Sequence, residues 1–143
     1  QRQMCIRDRG NTDVLWTATD DDGNQASATQ SVSIVDTTAP EIACNAVTQI
    51  TPPDAPISFT ATATDQCYGP LTAEITSYDC YKITKKGKRI GKTNSCVVSI
   101  AGDQISILDT GGVADMISWE VTATDGSGNN TTTECLITVV KPD

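Results

Sequence analysis

Three features of the sequence predict an all-β protein built as an antiparallel sandwich. Apolar and polar residues alternate over short runs such as 117–123 and 135–139, and this period of two is typical of half-buried strands. Only 4% of the 143 residues are aromatic, while threonine, serine, valine and isoleucine are abundant, which favours strands and turns over helices. Glycine, proline and aspartate interrupt the runs about every eight to twelve residues, which is the turn spacing of a sandwich.

An internal repeat sets the domain organisation. Residues 116–140 read MISWEVTATDGSGNNTTTECLITVV, with two alternating runs around a polar loop, and this pattern predicts a β-hairpin. Residues 14–35, VLWTATDDDGNQASATQSVSIV, contain the same TATD sequence, followed by a glycine, an asparagine and a closing strand. Such a repeat indicates tandem modules, of which the first is present only as its last two strands.

Three segments are expected along the chain. Residues 1–10, QRQMCIRDRG, do not alternate and bear no relation to the repeat, so we interpret them as non-native read-through; a natural flexible segment is the alternative. Residues 11–38 are expected to be the C-terminal hairpin of a preceding module and a linker, because the sequence DTTAP at 36–40 suits an extended connection. Residues 39–143 are expected to be one complete module.

The complete module should contain about seven or eight short strands. The first strand is broken, and the later ones are joined by turns rich in glycine, proline or charged residues. The predicted strands are 41–44 with 46–51, 57–64, 71–83, 96–100, 104–108 and the two strands of the hairpin at 116–140. This arrangement is typical of an immunoglobulin-like sandwich, and it makes Trp119 a core residue of the penultimate strand.

Composition argues against several classes of function. The net charge of −8 argues against general binding of nucleic acid or anionic membranes. The chain has no histidine, so the usual zinc sites, catalytic triads and histidine general bases are not available. No run approaches the roughly 20 apolar residues of a membrane span. We therefore expect a chain that is not an enzyme and has no membrane span.

The six cysteines indicate disulfides and an oxidising compartment, because their spacing contains no CxxC pair of the kind that binds metals. Cys80 and Cys96 flank a charged stretch and are expected to pair across its base. Spacing leaves the pairing of Cys44, Cys67 and Cys135 open. We favour a Cys44–Cys135 bond, which would join the first and last strands, with Cys67 as the odd thiol.

Four short sequences resemble hyalin-repeat (HYR) modules and related bacterial Ig-like repeats. They are PEIAC at 40–44, ATDQC at 63–67, VTATDGSGN at 121–129 and CLITV at 135–139. The resemblance implies an extracellular sandwich that is strung in tandem in a large secreted or surface protein, with an adhesion or spacer role and no catalytic activity. The chain departs from the family pattern at 79–96, which is longer and more basic than the usual short turn.

Carboxylates are expected to gather at one end of the module. Two strands that run in the same direction end at Asp65 and Asp125, and the linker brings Asp36 and Glu41 to the same end. Ca²⁺ takes about six to eight oxygen ligands, so these four residues are candidate Ca²⁺ ligands. The alternative is that aspartates end strands because they cap turns.

A basic stretch should lie at the opposite end of the module, between Cys80 and Cys96. We expect a disulfide-closed hairpin that contacts an anionic polysaccharide, a neighbouring module or another copy of the chain. The alternative is a solvated charged turn. The candidate partner-binding residues are Lys82, Lys85, Lys86, Lys88, Arg89 and Lys92.

These observations lead to the expectation of a non-catalytic adhesion or spacer module in a large extracellular or cell-surface protein. The first alternative is a structural subunit of an extracellular filament, in which strands 14–35 pack into a neighbour by strand addition. An enzyme or a carbohydrate-binding module is less well supported, because the sequence has neither a paired-carboxylate motif nor an aromatic platform.

Overall fold

Strands make up most of the structure, a computed structural model that describes residues 9–51, 55–110 and 116–140. In chain order they are β1 (Gly10–Thr19), β2 (Gln25–Ile34), β3 (Glu41–Ala43), β4 (Gln49–Ile50), β5 (Ile57–Thr60), β6 (Thr62–Asp65), β7 (Gly69–Leu71), β8 (Glu74–Ile83), β9 (Arg89–Gly91), β10 (Val97–Ala101), β11 (Gln104–Asp109), β12 (Met116–Thr124) and β13 (Asn130–Val139). A 3-10 turn spans Thr93–Ser95. The module has more strands than predicted, because the expected strands 57–64 and 71–83 are each divided in two and β9 adds a strand within the basic stretch.

The strands of the module form three hydrogen-bonded sheets within the described ranges. Their orders are β4-β13-β12-β8-β9, β10-β11-β5 and β3-β6-β7. Neighbouring strands are antiparallel in all of these pairs except β13–β4, where Thr138 lies opposite Gln49 in a parallel ladder. The predicted all-β sandwich is therefore confirmed, with one parallel pair at the edge of its largest sheet.

The hydrophobic core lies between the five-stranded sheet and the β5–β11–β10 sheet. Trp119 on β12 is 1% exposed, and its ring stacks on that of Phe59 from β5 with centroids 6.0 Å apart. Ile105 and Ile107 on β11 face the same interior and are fully buried. The prediction that Trp119 is a core residue is confirmed, since alternation places every second residue of β12 on the inner face.

The predicted single strand 57–64 changes sheet halfway along. Its first half, β5, pairs with β11, and its second half, β6, pairs with β3 and β7. Asn45, in the left-handed region with φ of 50°, holds the crossing point by donating its side-chain amide to Thr60 O and Thr62 Oγ1, each at 3.0 Å. The prediction of a single strand was wrong. The alternation of buried residues continues unbroken through Ala61 at the crossing, so the sequence pattern does not mark the change of sheet.

The β1–β2 hairpin repeats the β12–β13 hairpin in register. Val14 lies opposite Gln30 in the first, and Trp119 lies opposite Cys135 at the same place in the second. Every residue of β1 and β2 is exposed, whereas the inner face of β12 and β13 is buried. β1 begins at Gly10, inside the segment interpreted as read-through, and residues 1–8, including Cys5, lie outside the described part of the chain.

Candidate functional site

The linker and two loops meet at one end of the module, which we call the acidic pole. The loops are the β6–β7 turn and the β12–β13 turn, and they are joined by a 2.8 Å hydrogen bond between the hydroxyls of Tyr68 and Ser127. A Cβ at Gly126 would overlap the Tyr68 ring, so the close approach of the loops depends on this glycine. The Asn129 side-chain amide donates to the Asp36 carbonyl at 3.0 Å and so fixes the linker to the module.

Asp36 and Asp65 are brought together at this pole, as the sequence predicted. The two residues are only 8% and 7% exposed. Each carboxylate uses Oδ1 to cap its own turn: Asp36 accepts from Thr38 N at 2.9 Å, and Asp65 accepts from the N–H groups of Cys67 and Tyr68 at 2.7 and 2.9 Å. The two Oδ2 atoms are buried and accept no hydrogen bond.

Cys67 lies beside this pair, but its sulfur is not a thiolate. One oxygen from each aspartate and the Cys67 Sγ all lie within 4.8 Å of one another. Cys67 is disulfide-bonded, and the described cysteines include no free thiol. The expectation that Cys67 carries the odd thiol was therefore wrong, and oxygen atoms alone provide strong ligands here.

Glu41 reaches the same region from the first residue of β3. It lines a cavity of about 170 Å³ together with Asp65 and the end of the linker. The other lining residues are Thr38, Ala39, Thr64 and Gln66. The structure thus places three of the four predicted cation ligands, Asp36, Glu41 and Asp65, around the junction of the linker and β6.

Asp125, the fourth predicted ligand, caps the β12–β13 turn instead. Its Oδ1 accepts from Ser127 N and Asn129 N at 2.8 and 2.9 Å, and its Oδ2 accepts from the Asn129 side chain at 2.8 Å. Burial raises the pKa of this carboxyl, but the hydrogen bonds from Asn129 and Ser127 outweigh burial and lower the pKa below its ordinary value of 3.8. Because both oxygens are satisfied by the turn, we leave Asp125 out of the candidate site.

The same turn occurs in the β1–β2 hairpin, where Asp20 occupies the position of Asp125. Asp20 Oδ1 accepts from Asp22 N and Asn24 N at 3.0 and 2.8 Å, and its Oδ2 accepts from the Asn24 side chain at 2.8 Å. These hydrogen bonds, led by the one from the Asn24 side chain, lower the pKa of Asp20. The repeat found in the sequence is thus a repeat of turn chemistry, atom for atom.

The basic stretch forms the β8–β9 hairpin, and its base is closed by the predicted Cys80–Cys96 disulfide. Arg89 pairs with Asp79 and lies over the Tyr81 ring, with its Cζ 3.7 Å from the ring centroid. Burial raises the pKa of Asp79, but hydrogen bonds from Thr93 and Arg89 lower the pKa by a larger amount. The pKa of Asp79 is therefore below its ordinary value. Arg89 is therefore engaged within the hairpin.

The lysines of this hairpin differ in exposure. Lys85, Lys86 and Lys88 are exposed in and beside the turn, while Lys82 and Lys92 are half-buried. The hairpin leaves the sheet near Met116, at the start of β12, because β8 and β12 are antiparallel. Asp125 follows the other end of β12, so the exposed lysines and the acidic pole lie at opposite ends of the module.

The predicted Cys44–Cys135 bond is present and ties the chain just after β3 to β13. Sequence reasoning did not predict that Asn129, Tyr68 and Ser127 hold the pole together. A signal for Asn129 existed, since Asn24 occupies the same position in the repeat.

No family model matches the chain, and no curated protein matches it significantly. Within the described ranges, no helix has the length and apolar character needed to cross a membrane.

Proposed function

We propose that this chain is a non-catalytic spacer or adhesion module in a tandem array of immunoglobulin-like modules in an extracellular or cell-surface protein. The observation that carries the proposal is the β1–β2 hairpin, which matches β12–β13 in strand register and in turn chemistry. A repeated terminal hairpin followed by a linker is the pattern of consecutive sandwich modules. The resemblance to HYR modules supports the same function.

The linker adds support because it is attached to the module that follows it. Asp36 is buried, its carbonyl accepts from Asn129, and Pro40 O accepts from Thr131 Oγ1 at 2.6 Å. A linker held in this way transmits orientation from one module to the next, which a spacer requires. The disulfides support an oxidising and therefore extracellular location.

One observation favours a filament subunit as the second candidate. The face of the β1–β2 hairpin that corresponds to the buried face of β12–β13 carries apolar side chains, and Trp16 on it is 61% exposed. Val14, Val32 and Ile34 lie on the same face, with exposures of 36%, 39% and 45%. A second copy of the chain could cover this face, which would link copies into a filament.

Sedimentation velocity of the full oxidised chain distinguishes the two functions. At about 0.5 M salt, where contacts between exposed charges are screened, a spacer module should remain monomeric over a wide range of micromolar concentrations. A filament subunit should form larger species as the concentration rises, and Trp16→Ser should abolish them. Leu15→Ser is the matched control, because Leu15 is 67% exposed on the opposite face of the same strand. Concentration-dependent assembly that Trp16→Ser abolishes and Leu15→Ser leaves intact would overturn the spacer proposal.

A further inference from the structure

The acidic pole contains two buried carboxylate oxygens without partners, Asp36 Oδ2 and Asp65 Oδ2. Both residues are more than nine-tenths buried. Capping their turns requires only Oδ1, so the turns do not account for the burial of Oδ2. Buried carboxylates are normally paired or bound to a metal, because water no longer stabilises their charge. Two such groups side by side call for a positive charge between them.

One arginine among the described residues, Arg9, lies near these carboxylates. Arg9 lines an open cleft with Asp36, Tyr68 and other residues, and its guanidinium lies over the Tyr68 ring, 4.0 Å from the centroid. Neither Asp36 Oδ2 nor Asp65 Oδ2 accepts a hydrogen bond from it. Within the described ranges, both buried oxygens are therefore left without a hydrogen-bond donor.

The spacing of the carboxylates fits a metal ion. One oxygen of each lies within 4.8 Å of the other. Ca²⁺–oxygen distances are about 2.3–2.6 Å, so two ligands on opposite sides of one ion are about 5 Å apart. The neighbouring sulfur of Cys67 belongs to a disulfide, which removes the thiolate that zinc would favour. The ligand set consists of oxygens, which suits a hard cation.

The adjoining cavity provides room for the rest of a coordination shell. It measures about 170 Å³, and the residues that line it include Asp65, Glu41 and Gln66. Ca²⁺ completes its shell with water and neutral oxygens, and each water takes up roughly 30 Å³ in the liquid. We propose that Asp36 and Asp65 bind one Ca²⁺ ion at the junction between the linker and the module, beside the cavity that Glu41 lines.

Binding here joins the linker to the β6–β7 turn. Asp36 belongs to the linker and Asp65 ends β6, so an ion shared by the two carboxylates holds the linker in the position that Asn129 also fixes. If the ion also stiffens a tandem array, that role rests on the proposed function. The site itself does not, because both carboxylates belong to this chain.

Isothermal titration calorimetry of the full oxidised chain with CaCl₂, after removal of metal by a chelator, tests the site. We expect one ion per chain, with affinity in the micromolar to millimolar range that Ca²⁺ sites on proteins commonly show. Asp36→Asn and Asp65→Asn should each weaken binding about tenfold or more, because each removes one ligand charge. Asparagine keeps the Oδ1 acceptor, so both turns retain their caps.

Asp125→Asn is the matched control, since Asp125 lies at the same pole with both oxygens already hydrogen-bonded. It should bind Ca²⁺ like the parent chain, and thermal melts in EDTA should show that all three variants fold. Absence of binding at millimolar Ca²⁺ would overturn the site, as would loss of binding in Asp125→Asn but not in the other two variants. The sedimentation test of the proposed function is run in EDTA, so that its outcome is independent of this one.

Discussion

Two aspartates at the same pole differ because of what their second oxygen contacts. Asp125 Oδ2 accepts a hydrogen bond from Asn129, and Asp65 Oδ2 accepts none, although both residues follow a TATD-type strand end and cap a turn with Oδ1. The Asn at the fourth position after Asp125 makes the difference, since Gly69 occupies that position after Asp65. A single amide side chain thus separates a satisfied turn cap from a carboxylate that has an oxygen left for a ligand.

We predict that Asp125→Asn lowers the free energy of unfolding of the module near neutral pH. In acid, the parent chain and the variant should have the same free energy of unfolding. The pKa of Asp125 is lowered in the folded chain from its ordinary value of 3.8, so its ionised form favours folding. This contribution is complete above the unfolded pKa and is lost as the pH falls through the lower folded pKa. Urea unfolding of the parent chain and the variant at pH about 7 and at pH about 3 or below measures the effect.

Asp20→Asn is the control for this prediction, because it makes the same change in the exposed β1–β2 hairpin. It should leave unfolding of the module core unchanged at every pH. The prediction would be contradicted if the free energies of unfolding of Asp125→Asn and the parent chain differed by the same amount at neutral and acid pH. Only ionisation of Asp125 makes this difference depend on pH.

At the scale of elements, the β8–β9 hairpin is held mainly by its covalent closure. Few of its side chains are buried beyond Cys80 and Tyr81, and its turn is fully exposed. The Arg89–Asp79 pair is partly exposed, with side-chain exposures of 49% and 35%, and pairs of this kind contribute about 0–1 kcal/mol. The disulfide therefore dominates the stability of this element.

We predict that replacing Cys80 and Cys96 together by serine lowers the free energy of unfolding by about 2–4 kcal/mol. The bond closes a segment with a sequence separation of 16, and its loss increases the entropy of the unfolded chain. Chemical denaturation of the oxidised parent chain and the double variant measures the difference. Arg89→Ala is the control for loss of the ion pair alone and should cost much less. A loss below about 1 kcal/mol in the double cysteine variant would show that the bond contributes little.

The division of the strands shows where sequence reasoning ends. Alternation located nearly every strand, because inward-facing residues are apolar whichever sheet a strand joins. It could not reveal the crossing at Ala61, since Phe59, Ala61 and Ala63 are all buried on one continuous pattern. Similarly, the sequence placed Asp36 and Asp65 at one pole, but it could not show that their outer oxygens are buried, because that depends on how the linker packs.

At the scale of the whole molecule, charge is distributed unevenly along the long axis of the sandwich. The net charge is −8, and carboxylates gather at one pole while Lys85, Lys86 and Lys88 project from the hairpin at the other. The sequence predicted this polarity. It also assigned Arg89 to partner binding, and the structure shows that Arg89 is already paired with Asp79, so the three lysines carry the exposed positive charge.

We predict weak head-to-tail association at low salt that depends on these lysines. Contacts between exposed charges are worth about 0–1 kcal/mol each and are screened beyond about 10 Å at 0.1 M salt. Replacing all three lysines by serine should abolish the association seen by sedimentation equilibrium at about 20 mM salt, and raising the salt to about 500 mM should abolish it in the parent chain. Association that survives either change would show that the charged ends do not mediate it.

The Cys44–Cys135 bond determines how this chain responds to mechanical tension. It joins residues that are 91 positions apart, so a pulling force that enters through the linker and leaves through the end of β13 passes through the two sulfur atoms. The segment between them cannot extend while the bond is intact. At about 3.3–3.6 Å per residue, roughly 300 Å of contour length is therefore not released. Under a pulling force, only the short stretches outside the bond can therefore extend in the oxidised module. In the reduced module, most of the chain can unfold and extend.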